Sequence, residues 1–539
     1  MSSQRGRTTP FLAGRIGWPM LVALAMVAVT PMTVAVVITV TVIAQTGVIA
    51  MPAAFAVVAV VLALFVPGYL KMSREIDNPS AFYAFIARGL HPAAGVAAAL
   101  VALVSYWALL VGLFGVIGQA TAPLVEPLGV RPHWAVTAVV AVLLVTGLAS
   151  VKLSLPGVVV LVALVLDVVW IVVTAVVLMV HPAEGTAVAA GAVRAFSFGD
   201  GPVVLLSALF ATVLPAFLGF VGFETTVVYR DRARDERTVP RATVVVVATL
   251  GVLYVLGAFA PIVATGPDGV VAAAREHGPE LVFVLAETHL GAAWVAFGRV
   301  LFAFGVVAAM ISFTLTVALY AYGLARDGVL PSAVGRLSPR TQAPARAAMA
   351  LLVLNLLAIG GAAYLGLDPV GHLLLGGGAV GALGVLTLLA ATAVAIVVHR
   401  RRTQPDPDDA PAAPAGFDAK PEFDGPGYRA KGDGSADGTS GSGGVTAADG
   451  AGRKSAAGTL AVVAAVALVA LLVLGVWRFD ALLDGPVMLL RWSVPIGFVV
   501  VAATGVAYGL WLRRNRPRVY DRIGGTGRGT RPVDHGVRS

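Results

Sequence analysis

The chain has 539 residues, 58% of them hydrophobic and 12% charged, with a formal net charge of +9 and no cysteine; its mean hydropathy is +0.88. A soluble domain carries roughly 25% charged residues, so this composition excludes a soluble protein and makes lipid the solvent. The lack of cysteine excludes disulfides and thiolate metal sites.

Met1 to Pro10 are polar and basic, and the apolar stretch that follows is longer than a signal h-region and has no small-residue cleavage site, so it reads as a retained span. Runs at Pro19–Ile43, Gly47–Leu70, Ala94–Gln119, His133–Val151 and Leu155–Val180 approach the length that crosses a bilayer, about 20 residues. Five more follow at Val203–Tyr229, Ala242–Ala264, Gly291–Leu324, Ala345–Leu365 and Gly371–Val398, then two at Thr459–Trp477 and Val487–Leu512. The runs are continuous rather than alternating, which predicts helices and not barrel strands, an all-α polytopic bundle of 12 transmembrane helices.

The stretch from Thr403 to Ala451 is rich in Gly, Pro, Ala and Asp, too poor in large apolar residues to bury a core, and is expected to be a disordered linker. The predicted organisation is an N-terminal segment (1–18), a ten-helix core (19–399), a linker (400–456), two peripheral helices (457–512) and a basic tail (513–539). An even count puts both termini on one side. Of the 38 Lys and Arg residues, all but Arg131, Arg194, Arg275, Arg299, Arg478 and Arg491 then share that side, which assigns it to the cytoplasm of an inner-membrane protein. The basic residues lie beside apolar runs, which fits topology and lipid contact and argues against nucleic acid.

Phe217–Ala242 reads FLGFVGFETTVVYRDRARDERTVPRA, and Arg299–Met349 ends in YAYGLARDGVLPSAVGRLSPRTQAPARAAM. These segments resemble the sixth-helix signature, with its F-x-G-F-E/D core, and the eighth helix and following loop of the amino acid-polyamine-organocation superfamily. Gly68–Gly95, GYLKMSREIDNPSAFYAFIARGLHPAAG, is similar to that family's second-to-third helix loop. The resemblance implies a leucine-transporter-like core of 5+5 inverted repeats, first and sixth helices broken at the midplane, and two peripheral helices. It also implies a secondary active transporter of amino acids or related amines, working by alternating access and coupled to H+ or Na+, with proton coupling the first expectation. The family's Gly-rich break in the first helix is replaced here by AVTPMTVAVVITV, Ala28–Val40.

On this reading Thr30 and Pro31 interrupt the first helix, because proline lacks an amide donor and clashes with the preceding turn. Met32 and Thr33 then present free N–H groups and a positive dipole end to a substrate carboxylate; the plain alternative is a proline kink. Gly219 and Gly222 let Phe217–Gly222 unwind and offer carbonyls to an ammonium group, or else they serve close helix packing. Phe220 and Phe223 line or gate the pocket, or simply pack, and Tyr106 with Trp107 shapes it.

Glu224 and Asp167 are carboxylates inside apolar runs, where an ionised group costs about 2.5–3.5 kcal/mol on insertion scales. Each is a candidate proton carrier. For Glu224 a structural hydrogen bond to the unwound segment is an equal reading, and for Asp167 a satisfied interior pair. Ser312 and Thr316 sit one helical turn apart, where hydroxyls of sodium-coupled relatives of this architecture help hold the ion; back-bonding to the preceding turn is the alternative. There is no G-x-x-x-x-G-K-S/T loop, no nucleophile–base pair at membrane depth and no metal-ligand spacing among the histidines, so neither an ATP-driven pump, an enzyme nor a cofactor is expected. The rival from another class is a transporter-like membrane sensor that binds an amino acid or amine without turnover.

Overall fold

The computed structural model describes residues 15–76, 78, 80–150, 157–184, 188–199, 202–336, 344–403, 445–477 and 488–525. Helix α1 (Trp18–Val29) stops at Thr30, which takes φ 52° and ψ 70°, the one positive φ on a non-glycine among the described residues. The cause is local: a residue before proline is pushed out of the α region, and Pro31 has no N–H to extend the ladder. The span resumes as a π-helical turn, Thr33–Ile38, and continues as α2 (Thr39–Thr46).

Helix α3 (Met51–Glu75) is followed by the short α4 (Ala81–Gly89) and the long α5 (Pro92–Val125). His91 caps α5, its ring nitrogen accepting from the Ala93 N–H at 3.3 Å and supplying a partner for an otherwise orphaned donor. Then come α6 (Trp134–Ser150), α7 (Gly157–Val180) and a surface helix, α8 (Val188–Ala195). The sixth span, read from the sequence as one run, is divided into α9 (Pro202–Leu218), a turn over residues 219–224, and α10 (Thr225–Val228).

Helix α11 (Thr238–Thr265) leads to two short helices, α12 (Val270–His277) and α13 (Leu281–Leu290), and to α14 (Ala292–Arg326) and α15 (Ala345–Tyr364). The tenth span opens with a π-helical turn, Pro369–Gly377, before α16 (Gly378–Thr403). Helices α17 (Val445–Trp477) and α18 (Met488–Asn515) pack on the outside, and α19 (Pro517–Tyr520) closes the described chain. Helix α17 begins at Val445 rather than at the predicted Thr459, and most of the predicted linker lies outside the described residues.

Among the described residues, ten helices or helix pairs are long and apolar enough to cross a membrane, and two shorter apolar helices, Trp134–Ala149 and Val203–Leu218, fall where the fourth and sixth spans were read. The protein is thus a multi-pass helical membrane protein. Between apolar helices in lipid the hydrophobic effect has little to act on, so small residues that let backbones approach become the packing device. Helix α5 runs against α14, α16 and α18. A Cβ on Gly115 would fall 1.8 Å from the Pro369 carbonyl oxygen, and one on Gly381 would fall 2.4 Å from Leu109 Cγ. Gly377 also lies against α5, less tightly, with the Ala108 carbonyl 3.1 Å from where its Cβ would stand.

Gly298 makes room in the same way for the Trp170 indole, whose Nε1 donates to the Trp294 carbonyl at 3.1 Å. Gly115→Ala therefore forces backbone apart and should cost about 1–3 kcal/mol, lowering the detergent melting temperature. Gly147→Ala, with nothing within 4 Å of the added Cβ, should leave it unchanged.

Candidate functional site

The two broken spans meet. A Cβ on Gly222 would stand 2.8 Å from Val29 Cγ2, and one on Gly219 would stand 2.7 Å from Val34 Cγ1. Gly222 has φ +121°, a conformation that side chains resist, so glycine here answers both the backbone and the neighbouring helix. Gly219 answers only the neighbour. Thr30, Pro31, Met32 and Thr33 are all buried beside this contact.

Within the sixth-span turn the backbone closes i→i+3 bonds: Phe220 donates to Phe217 at 2.9 Å, Phe223 to Phe220 at 3.2 Å and Thr225 to Gly222 at 3.1 Å. These turn bonds engage the carbonyls of Phe217, Leu218, Phe220, Gly222 and Glu224 and pass over those of Gly219 and Val221. Glu224 holds the turn in shape. One carboxylate oxygen accepts the Gly222 N–H at 2.8 Å and the other accepts the Tyr106 hydroxyl at 2.7 Å, so the side chain replaces a lost helical bond and ties the turn to α5. The Tyr69 hydroxyl reaches the Glu224 carbonyl at 3.4 Å.

The first break is finished differently. Thr30 spends its hydroxyl on the Val29 carbonyl at 2.7 Å. Thr33 is 2% exposed, and its hydroxyl has no hydrogen-bond partner among the described residues. Its N–H and that of Met32 belong to the first turn of the resumed helix, where the ladder supplies no acceptor. A buried hydroxyl and a helix N-terminus are thus left open at one point.

The remaining candidates separate. Phe220 packs between Phe55 of α3 (6.5 Å between centroids) and Tyr254 of α11 (5.4 Å, edge-on), and Phe223 packs near Tyr69 of α3 at 6.5 Å; Phe217 is fully buried in the core. Tyr106 faces α14 through Phe313 and Tyr320, at 6.2 and 5.8 Å. Trp107 turns the other way and donates to Asn355 Oδ1 at 3.1 Å. Thr316 donates to the Ser312 carbonyl at 2.8 Å, a back-bond within α14.

Asp167 lies on α7, within electrostatic reach of Tyr254. Its carboxyl makes no hydrogen bond or ion pair among the described residues, and the Tyr254 hydroxyl is likewise buried without a partner. Tyr69, Tyr254, Phe313 and Tyr320 escape a sequence reading because aromatics on apolar spans look like ordinary packing. A small apolar void lined by Ala35, Val36, Trp170, Thr174 and Gly257 is separate from the site, since no residue of either break borders it.

At one end of the molecule the two broken spans are also joined by backbone. Ile16 donates to the Arg232 carbonyl at 2.8 Å and accepts from Arg234 N–H at 2.9 Å. The family model described as amino acid permease matches residues 17–420. The chain belongs to the amino acid permease family.

The permease is also similar to solved transporters. It shares 12% identity with an Eremococcus coleocola manganese transporter in complex with an aromatic bis-isothiourea compound, over 93% of this chain and 95% of that one, at a TM-score of 0.50. A point mutant of that manganese transporter matches with the same identity and coverage, at 0.49. A substrate-bound, outward-open Na+-coupled sialic acid symporter shares 13% identity over 71% of this chain and 79% of that one, at 0.45. No curated protein matches the sequence. The permease has the leucine-transporter-like fold and is a secondary transporter of a small-molecule substrate, not an enzyme.

Gly222→Ala should destabilise the permease more than Gly219→Ala, because a shifted Val34 side chain relieves the second clash but nothing relieves a positive φ. Tyr106→Phe should cost about 1–3 kcal/mol through the unsatisfied Glu224 oxygen. Unfolding in detergent, followed by intrinsic fluorescence, checks both orders.

Proposed function

We propose that this permease carries amino acids or related amines by alternating access through twelve crossings of the cell membrane, with both termini in the cytoplasm. The observation that carries the substrate class is the pairing of complementary polar ends at one contact. The open amides of Met32 and Thr33 and the unpartnered Thr33 hydroxyl suit a carboxylate. The carbonyls of Gly219 and Val221, across the contact with Val34, suit an ammonium group. The arginine and lysine asymmetry supports the orientation.

Proton coupling is assigned to Asp167. A mid-span carboxyl without a partner is poorly placed to stay ionised as a structural group, whereas both Glu224 oxygens are engaged. Glu224 is a positioning residue. In α14 the Thr316 hydroxyl donates to the Ser312 carbonyl, a back-bond that leaves its oxygen lone pairs free, so sodium coupling stays the second reading.

In proteoliposomes, an imposed inward proton gradient should accumulate labelled amino acid or amine. Asp167→Asn should abolish gradient-driven accumulation while keeping substrate counterflow, and Glu224→Gln, which still offers an acceptor to Gly222, should weaken substrate-induced melting shifts but keep the proton dependence. The proposal falls if no amino acid or amine moves under any proton or sodium gradient. The proton assignment falls if Asp167→Asn still accumulates substrate.

A further inference from the structure

Tyr254 is a buried polar group that the transport scheme leaves without a task. It stands near the middle of α11 and is fully buried, and its hydroxyl has no hydrogen-bond partner among the described residues. A phenylalanine would fill the same space without leaving a polar group unsatisfied. The ring itself is held on three sides. It packs on Phe55 at 5.0 Å and edge-on against Phe220 at 5.4 Å, and its Cε2 lies 3.2 Å from where a Cβ on Gly219 would stand. Tyr254 therefore touches the sixth-span turn at a residue whose carbonyl stays outside the turn bonds.

Tyr254 also borders α7. One turn further along α11, a Cβ on Gly257 would lie 2.9 Å from Ala35 Cβ and 4.0 Å from Ile171 Cγ2, so this face of α11 meets both the resumed first span and α7. The contact continues through Ala175, Leu178 and Ala260 to a bond from the Ala183 N–H to the Val263 carbonyl at 3.1 Å. The two helices thus run the same way. Ile171 is one turn beyond Asp167, as Gly257 is one turn beyond Tyr254. Stepping back one turn on each helix brings Asp167 beside Tyr254, and the two groups lie within electrostatic reach.

Asp167 needs such a neighbour. It is half-buried, next to Val165, Leu166 and Val169, whose side chains are exposed toward lipid, and lipid supplies no donor to an ionised carboxyl. Helix α7 has no other titratable residue. Of the elements packed on it, α1 has none either. Helix α13 carries Glu287 and His289, and His289 stacks at 4.4 Å on His181, beyond the far end of α7. Helix α14 carries Arg299, which is paired with Glu280 at 2.8 Å, while its Tyr320, Tyr322 and Arg326 lie near the opposite end of that helix. On α11 itself Arg241 sits in the first turn, which leaves the Tyr254 hydroxyl as the donor at this depth.

We infer that Tyr254 is the positioning residue for proton coupling: its hydroxyl donates to the Asp167 carboxylate, directly or through one water, and its ring links that carboxyl to the sixth-span turn at Gly219 and Phe220. The inference rests on Asp167 as the proton carrier and not on the identity of the substrate. A donor without an acceptor and a carboxylate without a donor satisfy each other when Asp167 is ionised. Protonation of Asp167 removes the charge-assisted bond, and the residue that loses it is the one packed on the substrate-facing turn.

Tyr254→Phe takes away the donor and keeps the ring. The ionised form of Asp167 then loses stabilisation, so its carboxyl holds a proton to higher pH. A hydrophobic carbodiimide reads this in the purified full-length permease, because it reacts from the apolar phase with protonated carboxyls, and the Asp167 adduct is followed by mass spectrometry. The midpoint of labelling against pH should rise by about one unit, with the detergent melting temperature not lowered. In proteoliposomes the pH of half-maximal proton-driven uptake should move the same way. An unmoved labelling midpoint, whether or not the melting temperature falls, overturns the role of Tyr254; if Asp167→Asn still abolishes accumulation, the proton carrier stands. Accumulation by Asp167→Asn overturns the carrier and the role of Tyr254 with it. A raised midpoint with no amino acid or amine moving in any preparation supports the Tyr254–Asp167 pairing and overturns the substrate class instead.

Discussion

The sixth-span break depends on one side chain. A backbone that leaves its helical ladder inside a membrane must find other partners, because lipid offers none. At Gly222 the missing acceptor is a carboxylate oxygen of Glu224, and the second oxygen is held by Tyr106 from α5. Glu224 therefore satisfies the turn and fixes it to a neighbouring span with one group. The pairing also explains how a carboxylate two residues past a positive-φ glycine is tolerated in the core: each oxygen has a donor, so the group is not an orphan in a low-dielectric interior.

The first break obeys the same constraint with simpler parts. Pro31 has no donor to satisfy, and Thr30 turns its hydroxyl back on the Val29 carbonyl. No carboxylate is needed, and the turn that follows is left with an unpaired Thr33 hydroxyl. The sixth-span break is thus tied by Glu224 while the carbonyls of Gly219 and Val221 stay outside its turn bonds, and the first break is left short of an acceptor at its dipole-positive end. Polar groups left open at both breaks matter because a fully satisfied site gives a ligand nothing to replace.

Much of this was legible in the residues. Continuous apolar runs give helices because the bilayer admits little else, and Pro31 marks the first break through a local steric rule. The F-x-G-F-E core of the sixth span marks the second. Partners could not be read: Tyr106 lies 118 residues from Glu224 in sequence, and nothing in a run of apolar residues says which aromatic faces inward. The two roles weighed for Glu224 were separable only once both oxygens had visible donors. Phe220 and Phe223 sit within the ligand motif yet spend their rings on α3 and α11. The end of the chain looked like a plain basic tail because its contacts with Arg88 and Asn78 are made by backbone carbonyls of Gly524 and Gly525, which carry no side-chain signature.

The end of the molecule bearing both described chain ends carries two separate ties, and they act on different bodies. The Ile16 bridge to Arg232 and Arg234 joins the start of α1 to the segment after α10, so the halves of the two broken spans at this end cannot drift apart without losing a pair of backbone bonds. The Tyr83–Asp327 bond joins α4 to the end of α14. The first tie links the two broken spans to each other; the second links α4 and α14, which both pack on α5.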